Sequence, residues 1–380
     1  MQIDFHYYAT YCAAYLAGYS HEESMAICYS AQFVDVCSKT FLNKIKANPD
    51  AATTQTQMEL MDARTDLLGL QEITGIWASF HFLPQDLYAQ KKWRTKRYLR
   101  KYRLICGPNG ALVKDTVDLA KEQSLQHVGI AMHVLADTWA HMYFAGTPSL
   151  VINNTTNSFA ELVLPEEGSE VAEKKIVFNH NPATPDDTEK NNYTNSIYQN
   201  RENSVMNLGH GRAGHLPDYA YIRYRYLPAW NDYKAVIKDN PSDYMHAFTQ
   251  LIYAMKTIRE GCDFDCEKYD LDAVAPYKER IMQIFEKRQL LDSADWKAFA
   301  FDLSGEEIPD FDLNLYQEEY QNAAEDEKDG TFLGKFIRAA LMQKEMVCEQ
   351  IYASGSLLAG IYGDKSWLLK KARRQEWPEA

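Results

Sequence analysis

Three residues that can bind a metal ion follow one another at even spacing in the stretch HVLADTWAH, residues 133–141. His133, Asp137 and His141 are four residues apart, so on a helix their side chains share one face, with neighbours about 5–6 Å apart. First-row metal ions hold imidazole and carboxylate ligands at about 2.0–2.2 Å. Neighbouring members of this stripe can therefore chelate one ion, and the central carboxylate can bridge two ions.

The residues between the three are small or apolar, which predicts a helix that is buried on nearly all sides. Burying an unpaired carboxylate and unpartnered imidazoles is costly. Metal coordination would satisfy all three side chains at once. The alternative is a hydrogen-bonded polar cluster inside an ordinary core helix, and the spacing favours metal without excluding that alternative.

A second cluster stands in the glycine-rich stretch GHGRAGHLPD, which runs into a predicted helix. It contains His210, His215 and Asp218, and the last two have the i, i+3 spacing that also allows chelation. Arg212, between the two histidines, could contact a phosphate or could equally be a surface residue. Glycine-rich loops often have no chemical role, so this stretch alone does not decide between a metal site and a loop without function.

Isolated candidates lie upstream: His6 in DFHYY, Asp35 in AQFVD and His81 in SFHFLP. A single histidine among aromatic residues is usually a satisfied core residue. Together with the two clusters, however, these three side chains could complete one metal centre. All ten histidines precede residue 247, so any histidine chemistry belongs to the N-terminal two-thirds, and the C-terminal helices are interpreted as packing elements.

Helical patterns dominate the chain, with Gly18 as a stop and Ser20 and Glu23 as a capping box. Asp35 is expected late in the second helix. In IWASFHFLP, helix and strand cannot be separated by pattern. The predicted helix over residues 111–145 could be broken near residues 123–124. The predicted helices are 7–18, 21–38, 55–76, 111–145, 216–226, 242–259, 271–290, 293–301 and 331–352.

Residues 147–205 differ in composition, being rich in Asn, Thr, Pro and Glu with short β-like pieces. They predict a loop- and β-rich insertion, such as a hairpin with long loops, within a mostly α, single large multi-helix domain. We expect residues 1–260 to form a metal-binding helical core and residues 261–380 a C-terminal helical extension that packs on it.

A net charge of −13 argues against a partner such as long nucleic acid. The basic run 91–103 could contact a phosphate-rich surface or an anionic membrane, although a solvated face is the commoner interpretation. No transmembrane segment or secretory signal is recognised and the seven cysteines form no framework, which predicts a cytoplasmic protein with reduced thiols, export by a non-classical route remaining open. Cys262 and Cys266 are a weak candidate for a thiolate site.

The ordered set of candidate residues resembles the pattern of the zinc-dependent phospholipase C and single-strand nuclease superfamily. The stretches DFHYYATY, AQFVD, IWASFHF, HVLADTWAH and GHGRAGHLPD also look like an uncharacterised bacterial family of that fold. The resemblance covers residues 5–260. It implies a helical fold of phospholipase C-like type and two or three Zn²⁺ ions as cofactors.

The resemblance also implies how the ligands are shared. One ion would be held by Asp35, His81, His133 and Asp137, a second by His6 and a bridging Asp137, and another by His141, His210 and either His215 or Asp218. The chain departs from the superfamily's pattern at two places. The last ligand pair reads His-xx-Asp here, and the N-terminus also differs. Secreted relatives use a processed terminal amine as a ligand, whereas here Met1 stands five residues before His6, and a site with fewer zinc ions is the alternative.

These expectations together predict a metal-dependent hydrolase of phosphate esters, a phosphodiesterase or phospholipase C-like enzyme. Asp35 would act as ligand and proton acceptor and Asp137 as the bridge, with a small phosphate ester or a phospholipid headgroup as substrate. The alternative is a non-catalytic, metal-stabilised helical scaffold or a toxin- or immunity-type interaction protein. A carboxylate-bridged di-iron bundle would need paired Glu-xx-His motifs, and the sequence has none.

Overall fold

The computed structural model describes residues 1–163, 171–179, 181, 184–195 and 208–361. Helices make up most of it, which confirms the mostly α fold class, and parts of the predicted 147–205 insertion lie outside the described residues. A π-helical turn, Asp4–Ala9, opens the chain. The helices are α1 Thr10–Leu16, α2 His21–Phe33, α3 Lys39–Lys44, α4 Gln57–Ala63, α5 Leu67–Phe80, α6 Lys96–Tyr102, α7 Ala111–Leu119, α8 Leu125–Ala140, α9 Leu150–Asn153, α10 Asn240–Glu260, α11 Leu271–Val274, α12 Lys278–Glu286, α13 Ser293–Ser304, α14 Gln317–Asn322 and α15 Phe332–Ala353.

The first two helices follow the predicted punctuation. Gly18 ends the first with a φ of +89°, and the Ser20 side chain accepts from Glu23 N while Glu23 reaches back to Ser20 N, which confirms the capping box. The second helix, however, ends at Phe33 and not at 38. Asp35 therefore lies in a tight turn beyond the helix, because its N–H bonds to the Gln32 carbonyl three residues back.

Helix α8 is the centre of the fold and packs against α2, α10 and α15. Residues 126–140 are all buried. The predicted long helix over 111–145 is two helices, α7 and α8, separated where a break was expected. Gly129 marks a close crossing with α2, since a Cβ atom there would stand 2.5 Å from the Ile27 carbonyl oxygen and 2.5 Å from the Ser30 Cβ atom.

Two small sheets flank the helices, formed by strands β1 Ala160–Val163, β2 Ala172–Lys175, β3 Val177–Asn179, β4 Asn192–Thr194, β5 Arg223–Tyr226 and β6 Val236–Asp239. Strands in the order β2-β1-β5-β6 pair antiparallel, and β3 pairs parallel with β4. The β1–β2 hairpin is of the kind predicted for residues 147–205, but its sheet continues into β5 and β6 outside that range.

The helix predicted over 216–226 is wrong. A 3-10 turn, Leu216–Asp218, leads instead into strand β5. The segment RYRY alternates, with Tyr224 and Tyr226 buried and the two arginines half-buried, which is the two-residue period of a strand. The tyrosines pack beneath the sheet, and this contact outweighs the helical pattern.

Other boundaries also differ from prediction. The 55–76 segment is two helices, α4 and α5, and the apolar run IWASFHFLP, which Pro84 ends, is helical as far as Phe80. The 271–290 segment is divided by a 3-10 turn, Ala275–Tyr277, which contains a proline. Strand β6 and helix α14 were not predicted. The division into a 1–260 core and a 261–380 extension stays a prediction.

No helix in the described part of the chain combines the length and the apolar character that a membrane crossing requires.

Candidate metal centre

Five separate elements bring the predicted ligands to one place beside the end of α8. His133 and Asp137 lie on α8, and His141 is its C-terminal cap residue. His81 caps α5, and Asp35 stands in the turn after α2. The remaining side chains come from the π-helical turn and from the glycine-rich loop with its 3-10 turn: His6, His210 and Asp218.

Backbone carbonyls fix the orientation of four imidazole rings. A carbonyl oxygen only accepts, so the ring nitrogen that faces it carries the proton and the other nitrogen of a neutral ring has a free lone pair. Such contacts are typical of metal-binding histidines. The pairs are His133 Nδ1 to Ala31 O at 2.8 Å, His81 Nε2 to Thr53 O at 3.0 Å, His141 Nδ1 to His81 O at 2.7 Å and His210 Nδ1 to Gly214 O at 2.6 Å.

Three acceptor atoms face one another as a consequence. His133 Nε2 lies 3.3 Å from His81 Nδ1, and each of these nitrogens lies 3.2 Å from Asp137 Oδ2. With both rings neutral, no hydrogen stands between any two of these atoms. Ligands placed 2.0–2.1 Å from a tetrahedral ion are about 3.3 Å apart, so the triangle has the dimensions of one face of such a site.

The two oxygens of Asp137 face different groups. Oδ2 belongs to the triangle, whereas Oδ1 lies 3.1 Å from His6 Nε2. The His6 ring stacks on the His133 ring at 3.8 Å between centroids, and its Nδ1 atom is buried without a partner among the described residues. Asp137 therefore has the geometry of a bridge between two adjacent sites.

The terminal amine of Met1 lies in the same cluster, 2.6 Å from Asp137 Oδ1, 3.3 Å from Asp218 Oδ1 and 3.4 Å from His141 Nε2. Burial lowers the pKa of this amine, but the carboxylates around it outweigh burial and raise the pKa to about 11. The five residues before His6 thus do not keep the amine away from the candidate ligands. A buried ammonium between two carboxylates shows that this position suits a cation.

The second cluster joins the end of α8 to the glycine-rich loop. Asp218 Oδ1 lies 2.9 Å from His141 Nε2, and Asp218 Oδ2 lies 3.4 Å from His210 Nε2. The Phe82 ring stacks on the His141 ring at 4.7 Å between centroids and holds it from the side. Of the two alternatives for the last ligand, Asp218 points into the cluster. The His215 ring lies at the edge of the cluster, with Nδ1 3.3 Å from Asp218 Oδ2 and a side chain that is 61% exposed.

Asp35 is the most accessible acid of the group. Its Oδ1 atom lies 3.8 Å from His81 Nδ1 and 3.9 Å from His133 Nε2, and its side chain is 29% exposed. Gln32 donates to the other oxygen at 3.4 Å. This carboxylate borders the cluster and also meets solvent, unlike the fully enclosed Asp137.

The electrostatics agree with a site built for positive charge. Burial lowers the pKa of His6 and of His210 to about 4, so both rings are neutral and able to coordinate at physiological pH. For Asp137 and Asp218, burial acts to raise the pKa, but the surrounding histidines and the amine outweigh it and hold both pKa values well below the usual range. The donor set therefore consists of anionic carboxylates and neutral imidazoles.

Among the described residues, three groups could each hold a metal ion: His6, His133 and Asp137; Asp35, His81 and His133; and His141, His210 and Asp218. They share members or adjoin one another, and nitrogen and carboxylate donors of this kind suit zinc and similar ions. No described group includes a cysteine. Cys262 and Cys266 are free, exposed and half-buried respectively.

Several groups in the site have no sequence signal. The carbonyls of Ala31 and Thr53 matter through their backbone position, and neither residue type announces it. Lys238 on β6 is also buried, donating to the Trp139 carbonyl at 2.8 Å and to Asp243 at 2.6 Å. It thereby holds the end of α8 from which His141 emerges, and nothing in the sequence around Lys238 marks it as a buried residue.

Comparison with known proteins places the chain in a family. A family model described as "Family of unknown function (DUF6765)" matches residues 1–351, so the protein belongs to that family. No curated protein and no solved structure matches the chain.

Proposed function

We propose that this protein is a zinc-dependent hydrolase of phosphate esters, with a phospholipase C-like fold and activity. The observation that carries the proposal is the triangle of His81 Nδ1, His133 Nε2 and Asp137 Oδ2, three buried acceptors within 3.2–3.3 Å of one another. Buried acceptors that face each other without a hydrogen are costly, and a metal ion between them would remove that cost. The order of the ligands along the chain, which resembles that of the phospholipase C superfamily, supports the choice of zinc.

The identity of the ligands follows from the three groups in the site. Asp137 would bridge two ions, one at the triangle and one beside His6, while His141, His210 and Asp218 would hold a third. Bound zinc supplies an acidified water molecule and neutralises the charge that develops on the phosphoryl oxygens.

The chain's own residues divide the remaining work. Asp35, whose side chain is 29% exposed, would accept the proton of the attacking water, because among the described residues its Oδ2 atom meets only the long 3.4 Å contact from Gln32. The backbone carbonyls that fix His81 and His133 hold the ligand nitrogens in place without rearrangement. Arg212 lies half-buried in the glycine-rich loop between His210 and His215, and its guanidinium would contact a substrate phosphate in this proposal.

The second candidate function is a metal-stabilised scaffold without activity. The observation that favours it is the enclosure of His6, His133 and Asp137, whose side chains are 0–1% exposed. A structural zinc site is closed by protein ligands, whereas a catalytic site keeps a position for water. The exposed edge at Asp35 supports catalysis over the scaffold.

Metal analysis of purified protein tests the metal centre. We expect at least one equivalent of zinc in the wild type and a clear loss of metal in His133→Ala and Asp137→Ala. His127→Ala is the matched control, since His127 is buried on the same helix but contacts Ser124 and Met342. Metal content that is below about half an equivalent and unchanged by either substitution would remove the central claim.

Turnover separates the enzyme from the scaffold. Phospholipid, nucleotide and generic phosphodiester substrates are compared with and without a chelator. Asp35→Asn should keep most of the metal while lowering kcat by about 10²–10⁴-fold, the range for a lost general base. Full metal occupancy with no turnover of any of these substrates would favour the scaffold.

A further inference from the structure

A strongly basic surface stands apart from the metal centre. The segment 91–103, called here the basic excursion, contains eight Lys and Arg residues and no acid, in a chain of net charge −13. Only Lys91 and Arg94 form an ion pair with a described acid, and for both it is Asp232. The cations without such a pair in the described part of the chain are Lys92, Lys96, Arg97, Arg100, Lys101 and Arg103.

The excursion also presents aromatic rings to solvent. Trp93 is 98% exposed, the highest value among the large hydrophobic residues described, and it stands in a left-handed turn with a φ of +64°. Tyr88, just before the excursion, is 63% exposed. An indole ring placed so fully in water, on a turn that projects it, has no role in packing the protein itself.

The excursion is supported from below. Tyr98 and Tyr102 stack on each other at 5.9 Å between centroids, and the Arg94 guanidinium lies 4.9 Å above the Tyr98 ring. Tyr98 and Lys91 also donate to the Trp230 carbonyl. The outward face is therefore a built surface of cations and one indole on an aromatic base.

The base of the excursion is joined to the metal centre. The loop that carries it begins after His81 and ends at Cys106, whose N–H donates to the carbonyl of Phe144, three residues after His141, at 2.7 Å. Bridges between Pro84 and Cys106 and between Ile105 and Ala145 close it. A partner bound to the excursion would be held next to the elements that carry the candidate ligands.

We propose that the basic excursion docks the protein on an anionic lipid bilayer. Clustered Lys and Arg side chains are attracted by the negative surface of such a membrane, and Trp and Tyr rings prefer the headgroup region. A bilayer takes up both features of this face at once. A long nucleic acid would also contact these cations, but it would extend past them over the rest of the chain, whose net negative charge repels it. The docking goes beyond the proposed hydrolysis and does not depend on it.

The test is vesicle binding by the full chain, measured by co-sedimentation without any turnover. Vesicles of phosphatidylcholine alone are compared with vesicles that also contain phosphatidylserine, at low and at high salt. We expect binding only to the mixed vesicles, weakening with salt. The double variant Arg97→Glu/Arg100→Glu should lower the partition coefficient at least about tenfold, and Trp93→Ser should lower it several-fold.

Matched controls separate the effect of this surface from the effect of net charge and from the effect of losing any exposed aromatic ring. Lys44→Glu/Lys46→Glu makes the same change in net charge at two exposed lysines outside the excursion, and Phe301→Ser removes a half-exposed ring on α13. Both should bind like the wild type, and all variants should keep the wild-type circular dichroism and metal content.

Three outcomes would overturn the proposal: no binding to the mixed vesicles, equal losses in the excursion variants and in the controls, or tighter binding to a single-stranded oligonucleotide than to vesicles. The last result would assign the surface to nucleic acid. Because metal content and turnover are measured separately, failure of docking is distinct from failure of the proposed hydrolysis.

Discussion

Helices α8 and α15 are both long and pack against each other, yet their buried polar groups are satisfied in different ways. On α15, Gln343 donates to the Ser79 carbonyl at 3.2 Å and to Thr116 Oγ1 at 3.0 Å, so its amide is satisfied by the protein. On α8, His133 and Asp137 place acceptors against one another. The first arrangement is complete by itself, whereas the second would be completed by the metal ion of the proposed function.

The contrast also runs within α8 itself. His127, two turns before His133, contacts Ser124 Oγ at 3.0 Å and the Met342 sulfur at 3.4 Å. His127 is therefore a core histidine whose polar atoms are satisfied by other protein groups, as is usual for a lone buried histidine. Residue type and burial therefore do not distinguish a ligand from a packing residue, and the partner atoms do.

Removal of metal should give the largest difference between the two helices. If α8 needs a cation, a chelator lowers the melting temperature of the wild type, because a ligand bound at about 1,000 times its Kd stabilises the folded state by about 4 kcal/mol. Differential scanning calorimetry with and without chelator measures the shift. Asp137→Ala provides the comparison, since its melting temperature should no longer respond; an unresponsive wild type would mean that the polar groups on α8 are satisfied without metal.

A smaller effect is expected from the satisfied amide on α15. Gln343→Leu leaves the Ser79 carbonyl and the Thr116 hydroxyl without their donor, which costs about 1–3 kcal/mol of unfolding free energy. Denaturant unfolding measures this loss. Metal content should stay at the wild-type level, and a loss of metal in this variant would show that the two helices are not separable.

The smallest effect concerns His127 and depends on pH. Burial lowers the pKa of His127 to about 4, so the unfolded chain binds a proton between pH 6.5 and 4 that the folded chain does not. The stability held above pH 6.5 is lost as the pH falls through this window. His127→Gln should recover about 1 kcal/mol at pH 5 relative to pH 7.5, measured by denaturant melts at both values.

The control for this pH effect is Asp326→Asn, at an exposed residue. It should have the same pH dependence as the wild type. If the difference in unfolding free energy between the wild type and His127→Gln is the same at pH 7.5 and at pH 5, the neutral, buried state of His127 is contradicted.

Features that depend on local helix geometry were predicted from the sequence. The capping box at Ser20, the break before α8 and the even spacing of His133, Asp137 and His141 follow from local rules of helix geometry. The candidate ligands also converge on one region, although metal binding itself stays a prediction.

Features set by tertiary contact were not predictable. Asp35 leaves its helix because the chain turns at Val34, and β5 forms because Tyr224 and Tyr226 pack under the sheet. His215 was as good a candidate as Asp218 by spacing, and only the fold turns one inward and the other towards solvent. The orienting carbonyls of Ala31 and Thr53 are backbone atoms, on which side-chain identity has no bearing.

The enclosure of His6, His133 and Asp137 has a kinetic consequence. With side chains 0–1% exposed, ions bound there could leave only when the packing around α8 opens locally. Their release into excess chelator should then proceed at a rate that does not depend on chelator concentration, since opening and not capture is the slow step. An ion beside the exposed edge at Asp35 would exchange faster, so two release phases are expected, one for each side of the bridge at Asp137.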